Sequence, residues 1–126
     1  MSYPDIFTAI SGDSNVTALL GSSPVRFYPF GEAPQLVAKP YAVWQIVGGG
    51  PENYISNLPD IDLFSLQIDI YADTVTVARN ATEVIRDSIE PLAHITGWSG
   101  ESRDSETNNY RVTFLVDWWV VRETGS

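Results

Sequence analysis

The segment Tyr110 to Arg122, YRVTFLVDWWVVR, constrains this chain more than any other. Its residues alternate with a period of two, the signature of a β-strand. One set is Tyr110, Val112, Phe114, Val116, Trp118 and Val120; the other is Arg111, Thr113, Leu115, Asp117, Trp119 and Val121. The first set makes the better core face. The second still carries Leu115, Trp119 and Val121. Neighbouring side chains of a strand point to opposite faces, so Trp118 and Trp119 cannot enter the same core. A fold built on this strand needs a core on one side and something further to meet Trp119 on the other.

Two more segments fix the class. DLFSLQIDIYA, Asp62 to Ala72, places Phe64, Leu66, Ile68 and Ile70 on one face and Ser65, Gln67, Asp69 and Tyr71 on the other. It leads into an amphipathic helix from about Val75 to Glu90, capped by Asp73 or Thr74 and stopped by Pro91. Ala78, Ala81, Ile85, Ile89 and Leu92 recur at three- and four-residue steps and define its buried stripe. Arg86 and Glu90 form an i,i+4 pair on the solvent side, with Glu83 three residues before Arg86.

The remaining elements follow from their punctuation. Asp5 to Leu20 reads as two short helices broken at Ser11-Gly12, the first carrying Ile6, Phe7 and Ile10. The second is capped by Asp13 and ended by Gly21. Val25 to Tyr28 is a short strand, followed by a loop over residues 29–40. Tyr41 to Val47 is a strand with two apolar faces, and Gly48-Gly49-Gly50-Pro51 is expected to end it. Residues 48–61 then form a long connection, part of it an extended hairpin arm carrying Tyr54, Ile55 and Leu58. His94 to Trp98 reads as a strand, and Glu101 to Asn109 as a charged connection. Strands joined largely by hairpin-like links predict an α+β fold: a mainly antiparallel sheet of four to five strands with helices packed on one face, in a single domain over residues 1–126.

Charge and composition exclude several functions. With 16 acids against 7 bases the formal charge is −9, and Lys39 is the only lysine. Binding nucleic acid through its phosphates needs clustered Lys and Arg, which this chain lacks. There is no cysteine, so disulfides and thiolate chemistry are absent. No apolar run is long enough to span a membrane, and the N-terminus lacks the pattern of a signal peptide.

Catalytic patterns are equally thin. Gly48-Gly49-Gly50 lacks the following Lys-Ser/Thr and helix start of a phosphate-binding loop, so it reads as a turn. Asp60 and Asp62 form a D-x-D pair, but a hard cation needs about six or more oxygen ligands, and loop-exposed acids are the simpler account. His94 is the single histidine, which leaves no multi-histidine zinc site or serine triad. No catalytic residue, metal site or cofactor is predicted. For Trp119 two readings stand side by side: cover by the chain's own residues 29–40 or 48–61, or contact with another copy.

The order of these signals resembles the tail completion or tail terminator family of long-tailed bacteriophages and prophages. The resemblance is carried by RFYPFGEAP, PYAVWQIVGG with PENY, and LPDIDLFSLQIDIYADT leading into VARNATEVIRDSIEPL. It spans Pro4 to Leu92 and the closing strand, and LQIDIYA before a helix is its sharpest part. It implies a structural virion protein without catalysis: a small subunit of a six-membered ring at the head-proximal end of the tail tube. Such a ring stops tube polymerisation and joins tail to head connector, in the neck of the virion after assembly in the host cytoplasm. The implied partners are further copies of itself, the tail tube protein and the head–tail connector or stopper, with DNA passing through the lumen without specific binding.

On that resemblance Leu115, Trp119 and Val121 are expected at the subunit interface. Glu52, Asn53, Tyr54, Ile55 and Leu58 form an arm toward the tail or a neighbour, and Glu52, Asp60 and Asp62 are candidates for an acidic lumen. A head–tail stopper subunit is the nearest alternative. A small α+β ligand-binding or enzymatic domain, with its apolar second face as the pocket, is the alternative of a different class.

Overall fold

The computed structural model describes residues 3–52, 61–104 and 109–121. Three helices, α1 (Ile6–Ser11), α2 (Ser14–Leu20) and α3 (Val75–Ile89), accompany five strands: β1 (Phe27–Pro29), β2 (Tyr41–Glu52), β3 (Ile61–Ala72), β4 (His94–Asp104) and β5 (Asn109–Val121). The strands form one sheet in the order β1-β2-β3-β5-β4. β1 runs parallel to β2, and every other pair is antiparallel. The architecture is the expected α+β arrangement.

Local chemistry explains the boundaries. Asp13 caps α2 by accepting hydrogen bonds from the Asn15 and Val16 amides at 2.9 and 3.4 Å. Gly21 ends that helix at φ +82°, a conformation open to glycine. Thr74 caps α3 by accepting from the Val77 amide at 3.2 Å.

One sheet face carries the core. Phe64, Leu66, Ile68 and Ile70 of β3 stand beside Val112, Phe114, Val116 and Trp118 of β5, all buried. The helices cover this face: α3 contributes Ala78, Ala81, Ile85 and Ile89, while α1 and α2 contribute Ile6, Ile10, Val16 and Leu20. Ala78 and Ala81 keep α3 close to the sheet because they are small. Two residues of the expected stripes fall outside: Leu92 is 55% exposed beyond the helix end, and Phe7 is 46% exposed.

Two strand ends differ from expectation. β2 does not stop at the glycine triplet but runs through it to Glu52, paired with β3 down to Ile61. A register shift between Ile46 and Gly48 admits an extra residue, and Gly49 at φ +137° lets β2 come close to Leu63. The glycines thus serve a bulge within a strand, a role open to residues without a Cβ. Similarly, β4 continues through the charged stretch to Asp104, because cross-strand pairing with β5 overrides the polar composition.

Candidate functional site

No helix lies against the second face of the sheet among the described residues. Its rows are read off the register: Tyr41, Tyr71 and Arg111; Val43, Asp69 and Thr113; Gln45, Gln67 and Leu115; then Ser65 beside Asp117 and Leu63 beside Trp119. The face divides into a polar end and an apolar end.

At the polar end Asp69 and Thr113 are buried. The Thr113 hydroxyl donates a short hydrogen bond to Asp69 Oδ1. The Gln67 amide donates to Asp69 Oδ2 at 3.0 Å, and the Arg111 guanidinium lies 4.0 Å from Oδ1. Each of the two carboxylate oxygens therefore has a partner, which is what makes its burial tolerable. Tyr41 and Tyr71 stack with ring centres 4.9 Å apart. Burial, and then the neighbouring Tyr71, push the Tyr41 phenol above its usual range.

At the apolar end Trp119 is 41% exposed and Val121 56% exposed, while Leu115 and Leu63 are half-buried. Trp118, one residue away, is 7% exposed in the core. The loop over residues 29–40 leads into Tyr41 and so reaches the opposite end of the face. Asn53, Tyr54, Ile55, Leu58 and Asp60 of the expected arm lie outside the described residues. Glu52 closes β2 opposite Ile61. Asp62 is 8% exposed and lies on the helix-covered side, next to Phe64 in sequence register.

Among the described residues no three His, Cys, Asp or Glu side chains come together as a metal site. His94 is exposed at the start of β4, opposite Asp117. One cleft of about 610 Å³ separates α3 from β4 and is lined by Arg79, Thr82, Arg86, Trp98 and Glu101. Its walls are tied by a two-pronged Arg79–Glu101 pair at 2.7 and 2.9 Å. Arg86 lies 6.0 Å from the centre of the Trp98 ring, whose other neighbour is Phe114. The sequence marks Arg86 and Glu83 only as charges on the solvent side of the helix; Trp98 and Glu101 join them because one strand, β4, carries both.

A two-layer domain with one bare, partly apolar sheet face is a unit suited to assembly. The family described as tail completion protein gp17 matches residues 4–121, nearly the whole chain. The chain belongs to that family. It is a structural protein of the phage tail. No curated protein sequence matches it. Among solved structures, a chain from the virion of a native gene transfer agent particle shares the fold. The two superpose with a TM-score of 0.63 at 14% identity, over 93% of this chain and 92% of the other. Among the described residues no helix is long and apolar enough to cross a membrane.

Proposed function

We propose that this tail completion protein forms a six-membered ring on the head-proximal end of the tail tube, ends tube polymerisation there and presents the surface that joins the head connector. The observation that carries the reading is the bare sheet face. A tryptophan 41% exposed beside Val121, Leu115 and Leu63 is costly in water and gains by burial against a partner. A ring requires head-to-tail contacts, in which one surface of a subunit meets a different surface of the next. Leu115, Trp119 and Val121 supply one such surface.

The arm from Glu52 through Asn53, Tyr54, Ile55 and Leu58 is assigned to contact with the tube or a neighbour. Glu52 and Asp60 are assigned to an acidic lumen, where like charge keeps DNA from adhering during passage; Asp62, expected with them, is buried on the helix-covered side and does not belong there. The ring belongs to the neck of the virion and is built in the host cytoplasm.

Native mass across concentration tests the ring, and addition of the purified protein to growing tail tubes tests termination. The expected results are a hexamer and tubes of arrested length. A protein that binds head connectors but leaves tube growth unchanged would be a head–tail stopper instead. Deleting part of residues 50–60 should leave the domain folded and block tail joining. A deletion variant that restores tail joining in complementation would remove the arm's role.

A further inference from the structure

We infer that neighbouring copies join by main-chain pairing, the first residues of β4, His94 to Gly97, in one subunit against Gln45 to Gly48 of β2 in the next. This rests on the ring reading above and goes beyond it by naming the contact.

The sheet has two edges with unequal cover. β1 pairs only with Ala42, Val43 and Trp44 of β2, and the Phe30 amide donates to the Trp44 carbonyl at 2.9 Å. β2 continues to Glu52 with no further strand on that side among the described residues. β4 forms the other edge along its whole length. A row of unpaired backbone N–H and C=O groups is a template for another strand.

Charge favours a second copy of this chain as that strand. Edges are ordinarily guarded by charged side chains. Here residues 40–51 and 91–100 carry no acidic or basic residue, the neutral His94 aside. In a chain at −9, two copies repel least along such stretches.

Direction and shape agree with that pairing. From β2 through β3 and β5 to β4 every step is antiparallel, so β4 runs opposite to β2. When copies are related by rotation about an axis along the strands, β4 of one meets β2 of the next antiparallel. Such a contact joins two different edges, which is the head-to-tail kind a ring needs, whereas a two-fold dimer would pair an edge with itself. β2 and the start of β4 also kink at adjoining rows, while a second shift in β4, between Trp98 and Gly100, lies below the paired stretch. Ile46 and Ile95 share one row of the sheet, through Leu66 and Val116, and the register shifts directly after each. Bulges discourage pairing with a straight strand; an edge bent at an adjoining row still fits.

The contact is continuous with the apolar corner. β4 starts opposite Asp117, so Trp118 to Val121 of β5 project past it. A neighbour's β2 arriving along β4 reaches Trp119 and Val121.

The absence of cysteine makes a clean test. Gly48→Cys and Gly97→Cys both place a Cβ where no other atom lies within 4 Å, neither glycine has a positive φ, and their rows, through Asp117 and Leu115 of β5, lie two residues apart along the paired edges. The double variant, its melting temperature first shown equal to the parent's, is treated with a short bismaleimide. The expected result is a ladder of covalent oligomers up to the full ring, with each single variant stopping at dimers at most. Amide exchange at residues 45–48 and 94–97 should slow on assembly. A hexamer without the ladder, and with those amides still exchanging freely, overturns edge pairing and leaves the ring standing. A ladder from either single variant overturns it in favour of like-edge pairing. A chain that stays monomeric at every concentration and beside tail tubes overturns the ring as well.

Discussion

The two faces of this sheet are made from the same strands, yet they solve opposite problems. The helix-covered face is apolar along β3 and β5, with Leu66, Ile68, Phe114 and Val116 completely buried. The bare face mixes Asp69, Thr113, Gln67 and Arg111 with Trp119, Leu115 and Val121. The adjacent tryptophans state the difference most directly: Trp118 is 7% exposed and Trp119 41%. The first face stabilises one chain. The second holds its polar end through hydrogen bonds and leaves Trp119 and Val121 exposed at its apolar end.

Substitutions sharpen the contrast, beginning with the largest effect. Trp118→Ala should destabilise the monomer by about 3–5 kcal/mol, because a large core side chain leaves a cavity. Chemical denaturation measures it, and a loss below that of Trp119→Ala would reverse the assignment of faces. Asp69→Ala strands the Thr113 hydroxyl and the Gln67 amide and should cost about 1–3 kcal/mol, read in the same way. That would show the polar end of the bare face to be structural rather than free for binding. Trp119→Ala should change monomer stability by less than about 1 kcal/mol while weakening self-association seen by native mass. A drop in melting temperature as large as that of Trp118→Ala would place Trp119 in a core.

The smallest effect concerns the cleft between α3 and β4. The Arg79 guanidinium holds the Glu101 carboxyl below its usual range through their hydrogen bonds and opposite charge. A carboxylate depressed in the folded state contributes above its unfolded pKa and loses that contribution as pH falls through the folded value. Arg79→Ala should therefore move the Glu101 titration upward, as followed by carboxyl NMR. The pair is solvent-exposed, so little change in melting temperature should accompany it.

Periodicity made the covered face readable from the sequence. The alternation in Asp62–Ala72 and Tyr110–Val121 and the stripe of α3 name nearly every core residue. The separation of Trp118 from Trp119 follows from the same rule. Edges and ends were less legible. A glycine triplet followed by proline looks like a stop, and only the pairing of Gly49 with Phe64 shows it to lie within a strand. The charged residues Glu101 to Asp104 read as a connection because local composition says nothing of the β5 partner that holds them extended. Asp69 could be placed on the second face but not seen to be buried; its partners are Gln67, two residues away, and Thr113 and Arg111, over forty residues away. The Arg79–Glu101 tie was hidden for the same reason, since it joins a helix to a strand that pairing alone defines.

The glycine triplet carries a consequence for how this lineage can vary. A Cβ added at Gly49 would stand 2.1 Å from the Leu63 carbonyl oxygen, whereas at Gly48 or Gly50 it would meet nothing within 4 Å. The three neighbours, identical as letters, therefore tolerate a side chain to different degrees. Descendants of this chain are free to replace the outer two, but a replacement of the middle one has to be accompanied by a second change that reopens the space between β2 and β3.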